Sequence, residues 1–204
     1  MKTQVAGSDH WVHGTYRLLH LDAHFRRFKD IYTDFDAEAT AQTYADVGFQ
    51  MVSYMAMDGP SYYPTKVGTM HPGIKRDFVG EFTAALKKRA IKAIVYVHLG
   101  GLAWDTEALG KGIAQLLELL DLYNVDGFFL DVTSQPFLKA EMFSEKTQAL
   151  FEGEVGAEFP SGDDDPGAFE FRRWVNRRHD DFLQRIIDAV LEVKPDALLI
   201  CNGS

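Results

Sequence analysis

The sequence has very little cysteine: Cys201 is the only one among 204 residues. A single cysteine excludes an intrachain disulfide and any metal site built from several thiolates. Because disulfides are typical of oxidising compartments, their exclusion favours a reducing one. Residues 1–15 also lack the continuous apolar stretch of a secretory signal, and no run is apolar enough to span a bilayer. We therefore expect a cytoplasmic protein without a signal peptide.

Long basic runs are also missing from the chain. There are 21 Lys and Arg residues against 30 Asp and Glu, which gives a formal net charge of −9. Phosphate backbones and anionic lipid surfaces are bound by clustered positive charge. We therefore expect neither nucleic acid nor a membrane surface as a partner. The 46% hydrophobic and 25% charged content is that of an ordinary globular protein.

A glycine-rich phosphate turn after the first predicted strand is absent, which argues against a dinucleotide-binding sheet. Strand-like runs alternate with helical segments, and this alternation predicts βαβ units with a parallel sheet. Polar residues follow nearly every strand, as is typical of a (β/α)₈ TIM barrel. The predicted strands are 17–25, 49–57, 91–99, 125–132 and 197–202, and the predicted helices are 37–47, 75–89, 105–123 and 165–194.

The number of predicted strands is too small for a whole barrel, which has eight strands and about 250 residues. We therefore expect one partial TIM-barrel domain over residues 1–204 that contains about the first five β/α units. Residues 134–165 depart from the alternation and include an acidic, turn-rich segment. They are longer than an ordinary βα loop, so we expect an insertion after strand four.

The central feature of the chain is the apolar run from Val125 to Val132, which predicts a strand buried on both faces. On that strand Asp131 is the last residue that points into the barrel. A carboxylate at the end of a buried strand is costly unless something uses it, so we predict a functional role for Asp131. Asp126 begins the strand at the opposite end of the barrel, where a structural role is expected.

Three polar residues on the first predicted strand, His20, Asp22 and His24, alternate onto one face. Together they offer donors and acceptors to the hydroxyl groups of a sugar. Two alternatives stay open: a polar cluster that only satisfies itself, and a metal site, because two imidazoles and a carboxylate suit Zn²⁺.

Further candidates for substrate binding follow the other strands. Tyr96 and His98 share the inward face of the third strand, and Trp104 lies just beyond as a stacking platform or a loop anchor. Tyr62, Tyr63 and His71, with Lys66, lie in the long loop after the second strand. Tyrosine rings with hydroxyl tips match the apolar face and polar edge of a pyranose, and packing within the loop is the alternative. Asn202, at the end of the fifth strand, could donate to a substrate hydroxyl.

Segments 20–24 (HLDAH), 61–72 (SYYPTKVGTMHP) and 125–131 (VDGFFLD) carry a resemblance to a known group. They resemble the hypothetical glycosyl hydrolase 6 family, TIM-barrel proteins related to α-L-fucosidases. The resemblance covers residues 17–204, and its most specific part is the YYPTKVG sequence. Members of that group are often attached to trimerisation domains of the β-galactosidase type, so a homo-oligomer stays open.

The resemblance implies a retaining glycoside hydrolase that acts on carbohydrate without a cofactor, with Asp131 as the nucleophile. Such a mechanism needs a second carboxyl group about 5 to 5.5 Å away. Glu141, Glu154 and Glu158 in the insertion are candidates, as is a residue of a later strand. The alternatives are a metal-dependent barrel hydrolase that uses His20, Asp22 and His24, and a barrel that binds carbohydrate without catalysis.

Overall fold

The computed structural model describes residues 9–99, 106–131 and 143–202 of the chain. A short 3₁₀ helix, Trp11–Gly14, precedes the first strand. The strands are β1 (Leu18–Leu21), β2 (Met51–Asp58), β3 (Lys92–His98), β4 (Gly127–Asp131) and β5 (Leu198–Cys201), and the helices are α1 (Ala37–Val47), α2 (Phe78–Lys87), α3 (Thr106–Tyr123), α4 (Glu145–Val155) and α5 (Ala168–Val193).

The five strands form one sheet in the order β1-β2-β3-β4-β5, and every pair is parallel. A doubly wound sheet would reverse its strand order at a switch point, whereas consecutive order is that of a barrel. The sheet curls into a half-barrel that is not closed. The predicted α/β class and the partial, TIM-like architecture agree with this arrangement.

The middle of the sheet is the most buried part of the molecule. All eight residues of β2 and five of the seven in β3 are buried, as expected for strands covered on both faces. One core cluster joins these strands to the helices outside them through residues such as Ala41, Phe82, Leu116 and Ile186. The sheet therefore forms a rigid base beneath the carboxyl ends of the strands.

The helix boundaries follow from capping, and two of them correct the sequence prediction. Asp36 caps α1, and Gly48 ends it in the left-handed region at φ 86°, both as predicted. Helix α2 begins at Phe78 instead of residue 75, because Asp77 accepts a hydrogen bond from Gly80 N. Helix α5 begins at Ala168 because the Asp165 carboxylate accepts from Gly167 N and Ser161 in a turn instead of capping the helix.

The first strand is also shorter than predicted and ends at Leu21 instead of residue 25. Residues 22–25 make no strand ladder with β2, and Phe25 N donates instead to the side-chain oxygen of Tyr62. At the other end of the sheet, where the strands begin, Asp126 accepts from Ala93 N and pairs with Lys92 at 2.9 Å. Asp126 therefore has the structural role that was predicted for it.

The described part of the predicted insertion, residues 143–165, contains helix α4. This helix packs against α5 through a second, smaller apolar cluster of Phe143, Phe151, Phe171 and Trp174, with Ala168 and Val175. Within the described ranges, no helix combines the length and the apolar character needed to cross a bilayer.

Candidate active site

The strand register brings polar residues from neighbouring strands together at one end of the half-barrel. His98 at the end of β3 is paired with Asp58 on one side and with Asp131 on the other. Asn202 follows β5, where its backbone N–H donates to Leu130 O. Register partners in a parallel sheet point to the same face, so these side chains line the mouth of the half-barrel as one row.

Asp131 lies at the centre of this row and is hydrogen-bonded on both carboxylate oxygens. Its Oδ2 atom accepts from the hydroxyl of Tyr96 and lies 2.9 Å from Nδ1 of His98, while Asn202 Nδ2 donates to Oδ1 at 2.7 Å. Burial of this 7%-exposed residue by itself raises the pKa of the carboxyl group, but the three hydrogen bonds outweigh burial and leave the pKa below its ordinary value. Asp131 is therefore ionised at neutral pH.

Tyr96 is held as a hydrogen-bond donor by its surroundings. Burial, and then the adjacent Asp131 carboxylate, raise the pKa of the Tyr96 hydroxyl well above its ordinary value. The hydroxyl therefore stays protonated and donates a hydrogen bond to Asp131. The Tyr96 ring stacks on Phe129 with centroids 5.3 Å apart, which fixes the direction of the hydroxyl.

The predicted trio His20, Asp22 and His24 is only partly brought together. His24 Nε2 lies 2.9 Å from Asp22 Oδ1 and 3.4 Å from the Tyr96 hydroxyl, so His24 joins the network around Asp131. The ring of His20 instead packs against Phe129, with centroids 4.5 Å apart. In the described parts of the chain, no three His, Cys, Asp or Glu side chains converge as metal ligands would.

The structure adds one residue that the sequence analysis missed, Asp58 at the end of β2. Its side chain is fully buried, and Oδ1 accepts from Arg26 Nε at 2.7 Å and lies 2.6 Å from Arg26 Nη2. Its Oδ2 lies 3.1 Å from His24 Nδ1, although the ring is not aligned for a hydrogen bond and no other described group donates to that oxygen. The signal was available, because Asp58 ends an apolar strand in the same way as Asp131.

Three residues predicted to bind substrate are buried in this structure. Tyr62 and Tyr63 have no exposed surface and His71 has 2%. The Tyr62 oxygen accepts from Phe25 N, and the Tyr63 hydroxyl donates to Glu118 Oε2 at 3.0 Å. Because the loop after β2 folds inward, these rings pack within the loop, which was the alternative interpretation.

The two described candidates for the second carboxyl group, Glu154 and Glu158, make no contact with Asp131 among the described residues. Glu154 accepts from Trp174 Nε1 at 2.7 Å and pairs with Arg178 at 2.8 Å, so it fastens α4 to α5. Glu158 is exposed in the turn that follows α4. Glu141 and the predicted stacking residue Trp104 lie outside the described residues.

Two cavities open at the mouth on either side of Arg26 and His98. One has a volume of about 420 Å³ and is lined by His24, Asp58 and Phe28, with Arg26, Arg27 and His98. The other, of about 560 Å³, extends from His98 and Arg26 to Gln115 and Lys111 on α3. Both volumes are within the usual range for small-molecule sites, about 300 to 1,000 Å³. A monosaccharide-sized ligand therefore has room beside the Asp131 network.

Comparison with known proteins supports the architecture. No family model matches the sequence, and the search of curated proteins found no match. The structure of α-L-fucosidase isoenzyme 2 from Paenibacillus thiaminolyticus aligns with 92% of this chain and 32% of its own, at a TM-score of 0.73 and 19% identity. A Thermotoga maritima α-fucosidase in complex with a mechanism-based inhibitor aligns with 87% of this chain and 38% of its own, at a TM-score of 0.51 and 16% identity.

These likenesses show the fold alone. The chain spans between 32% and 38% of the length of these two structures. At such low identity they assign no residue and no activity to this chain, and they leave its resemblance to the hypothetical glycosyl hydrolase 6 family without a matching family model. What the site does chemically must therefore be argued from its own side chains.

Proposed function

We propose that this chain carries the nucleophile of a retaining glycoside hydrolase of the α-L-fucosidase type, and that this nucleophile is Asp131. The observation that carries the proposal is the state of Asp131: a carboxylate at the end of a buried parallel strand, ionised, and held by three donors. Active sites of TIM barrels lie at this end of the strands. The fold likeness to two α-L-fucosidases supports the same class.

The hydrogen bonds leave one carboxylate oxygen better suited to attack than the other. Among the described residues, Asp131 Oδ2 has two partners, Tyr96 and His98, whereas Oδ1 has one, Asn202. Each carboxylate oxygen has about two lone-pair positions, so Oδ1 keeps one for the anomeric carbon. In this proposal Oδ1 forms the glycosyl-enzyme bond as the leaving oxygen departs, and the donors on Oδ2 fix the orientation of the group.

The remaining groups at the mouth fit recognition of a polyol. His24 and Asp22 are exposed beside the network, and His98 and Arg26 line both cavities. These side chains offer both donors and acceptors to the hydroxyl groups of a sugar. The mechanism also needs a second carboxyl group, and Glu141 stays a candidate for it.

The experiment is a kinetic comparison of the protein with its Asp131→Asn variant on an aryl α-L-fucoside. Asparagine keeps the shape of the side chain and its contact with Asn202, but it cannot attack as an anion. We expect turnover to fall by at least about 1,000-fold, because covalent catalysis is lost. Equal turnover by both proteins would exclude Asp131 as the nucleophile, and sugar binding without turnover by either would favour a barrel that only binds carbohydrate.

A further inference from the structure

Residues 22–26 lie at the mouth outside any strand or helix, yet they place His24 within the Asp131 network. The ladder between β1 and β2 ends at Leu21, so the strand itself does not fix the segment that follows. A free loop would sample many positions, and ordering it has an entropic cost that other contacts must offset. The question is which groups hold this segment.

The backbone of the segment is held by two buried side chains of the loop after β2. The Tyr62 oxygen accepts from Phe25 N at 2.8 Å, and His71 Nε2 lies 3.1 Å from Arg26 O. His71 Nδ1 accepts from Gly73 N at 3.0 Å, so the ring proton belongs on Nε2, which donates to Arg26 O. These contacts give Tyr62 and His71 a place in the site without any contact to substrate.

The side chains of the segment are held by Asp58. Arg26 Nε donates to both Asp58 Oδ1 and the Asp58 backbone oxygen, at 2.7 and 3.0 Å. On the other side of the carboxylate, Oδ2 lies 3.1 Å from His24 Nδ1. Because Asp58 is itself fully buried at the end of a buried strand, it has little freedom to move and can hold both side chains in place.

His24 connects Asp58 with the hydrogen-bond network of the nucleophile. Its Nδ1 lies 3.1 Å from Asp58 Oδ2, and its Nε2 lies 3.4 Å from the Tyr96 hydroxyl that donates to Asp131. A continuous path of polar contacts thus connects the carboxylate that ends β2 with the carboxylate that ends β4. Networks of this kind keep reacting groups in one geometry.

We propose that Asp58 is a positioning residue that holds His24 and Arg26 against the mouth and so maintains the geometry of Asp131 and the adjoining cavity. The proposal rests on the proposed function for its effect on turnover, but its effect on His24 does not depend on any activity. Asp58 lines the 420 Å³ cavity, but its side chain is fully buried and its Oδ1 is taken up by Arg26, so the role proposed for it is positioning.

Asp58→Asn tests the proposal, because asparagine has the same shape but no charge to attract Arg26 and His24. We expect kcat/KM to fall on the order of 100-fold, the cost of a misplacement of about 1 Å, with recovery in Asp58→Glu. The ring N–H and nitrogen NMR signals of His24, assigned by their loss in His24→Gln, should shift in Asp58→Asn. Unchanged His24 signals would overturn the proposal whether or not the protein is a glycosidase.

Asp126→Asn is the matched control, because it also removes a buried carboxylate paired with a basic side chain. Asp126, however, lies where β4 begins, at the end of the sheet away from the mouth. This variant should lower stability while leaving the His24 signals and kcat/KM of the folded protein unchanged. An equal loss of kcat/KM in both variants would reduce the role of Asp58 to stability alone. If Asp58→Asn does not fold, Asp58→Ser replaces it, and unchanged His24 signals and kcat/KM there would overturn the proposal.

Discussion

At the scale of single residues, the site depends on how hydrogen bonds offset burial at Asp131. Burial favours the neutral acid, whereas donors favour the anion, and Tyr96, His98 and Asn202 together decide the balance in favour of the anion. Tyr96 is a dependable donor because burial raises the pKa of its own hydroxyl. The ionised carboxylate is thus a property of four side chains from two strands, β3 and β4, and from the residue that follows β5.

Replacing Tyr96 by phenylalanine should move the acidic limb of the pH profile of kcat/KM to higher pH. The nucleophile must be ionised, and Tyr96 is one of the groups that lower the pKa of Asp131. Removal of that donor therefore raises the pKa, so the anion is lost at a higher pH than in the unaltered protein. Tyr54→Phe is the control, since its buried hydroxyl contacts Thr83 at 2.5 Å, outside the network. An unshifted limb in Tyr96→Phe would contradict this account of Asp131.

Sequence reasoning selected Asp131, Tyr96, His98 and Asn202 as candidates because each ends or lines an apolar strand, a pattern that is local in the chain. The structure brings these four side chains together. It missed Asp58, although the same pattern applies, since the glycine and proline that follow made this residue resemble the start of a loop. It placed Tyr62 and His71 against substrate because their side chains suit sugars. Their burial depends on how the loop folds back over residues 25 and 26, which is a long-range contact that no local pattern contains.

At the scale of secondary-structure elements, capping residues set the boundaries of the helices, and packing in the core holds the helices against the sheet. Gly48 ends α1 at φ 86° and Gly156 ends α4 at φ 73°, a conformation that glycine adopts without steric cost. A side chain at Gly48 would also approach Arg17, whose guanidinium lies 2.5 Å from the position of a Cβ atom, whereas the space around Gly156 is open.

Gly48→Ala and Gly156→Ala should therefore each lower the free energy of unfolding by about 1 kcal/mol, the usual cost of a left-handed alanine. Gly156→Ala measures the backbone cost alone, and any excess in Gly48→Ala measures displacement of Arg17. Urea unfolding followed by circular dichroism gives both values. A neutral or stabilising effect of Gly156→Ala would show that the αL end of α4 does not persist in solution.

At the scale of the whole molecule, the sheet has two edges that pair on one side only. Among the described residues, β1 pairs with β2 and β5 pairs with β4, and the half-barrel stays open between them. Unpaired parallel strands offer free N–H and C=O groups to another chain. Leu18 on β1 also exposes 40% of its surface, so this edge combines open backbone with an apolar side chain.

The purified chain should accordingly self-associate in a concentration-dependent way, which sedimentation velocity over a hundredfold range of concentration would detect. Leu18→Lys should weaken the association, because a charged side chain at an edge strand opposes pairing. Leu122→Lys is the matched control, since Leu122 is 45% exposed but lies on α3, which joins the interior strands β3 and β4. A chain that stays monomeric throughout the range would contradict an edge-driven association.

The central claim is that an oxygen of Asp131 attacks the anomeric carbon of a sugar, and covalent trapping tests it most directly. A 2-deoxy-2-fluoro glycosyl fluoride of the α-L-fucosyl type slows breakdown of the glycosyl-enzyme, so the protein should gain the mass of one sugar. Peptide mapping should then place the added mass on Asp131, with no labelling in Asp131→Asn. Labelling of a different carboxylate, or equal labelling of the Asp131→Asn variant, would contradict the account.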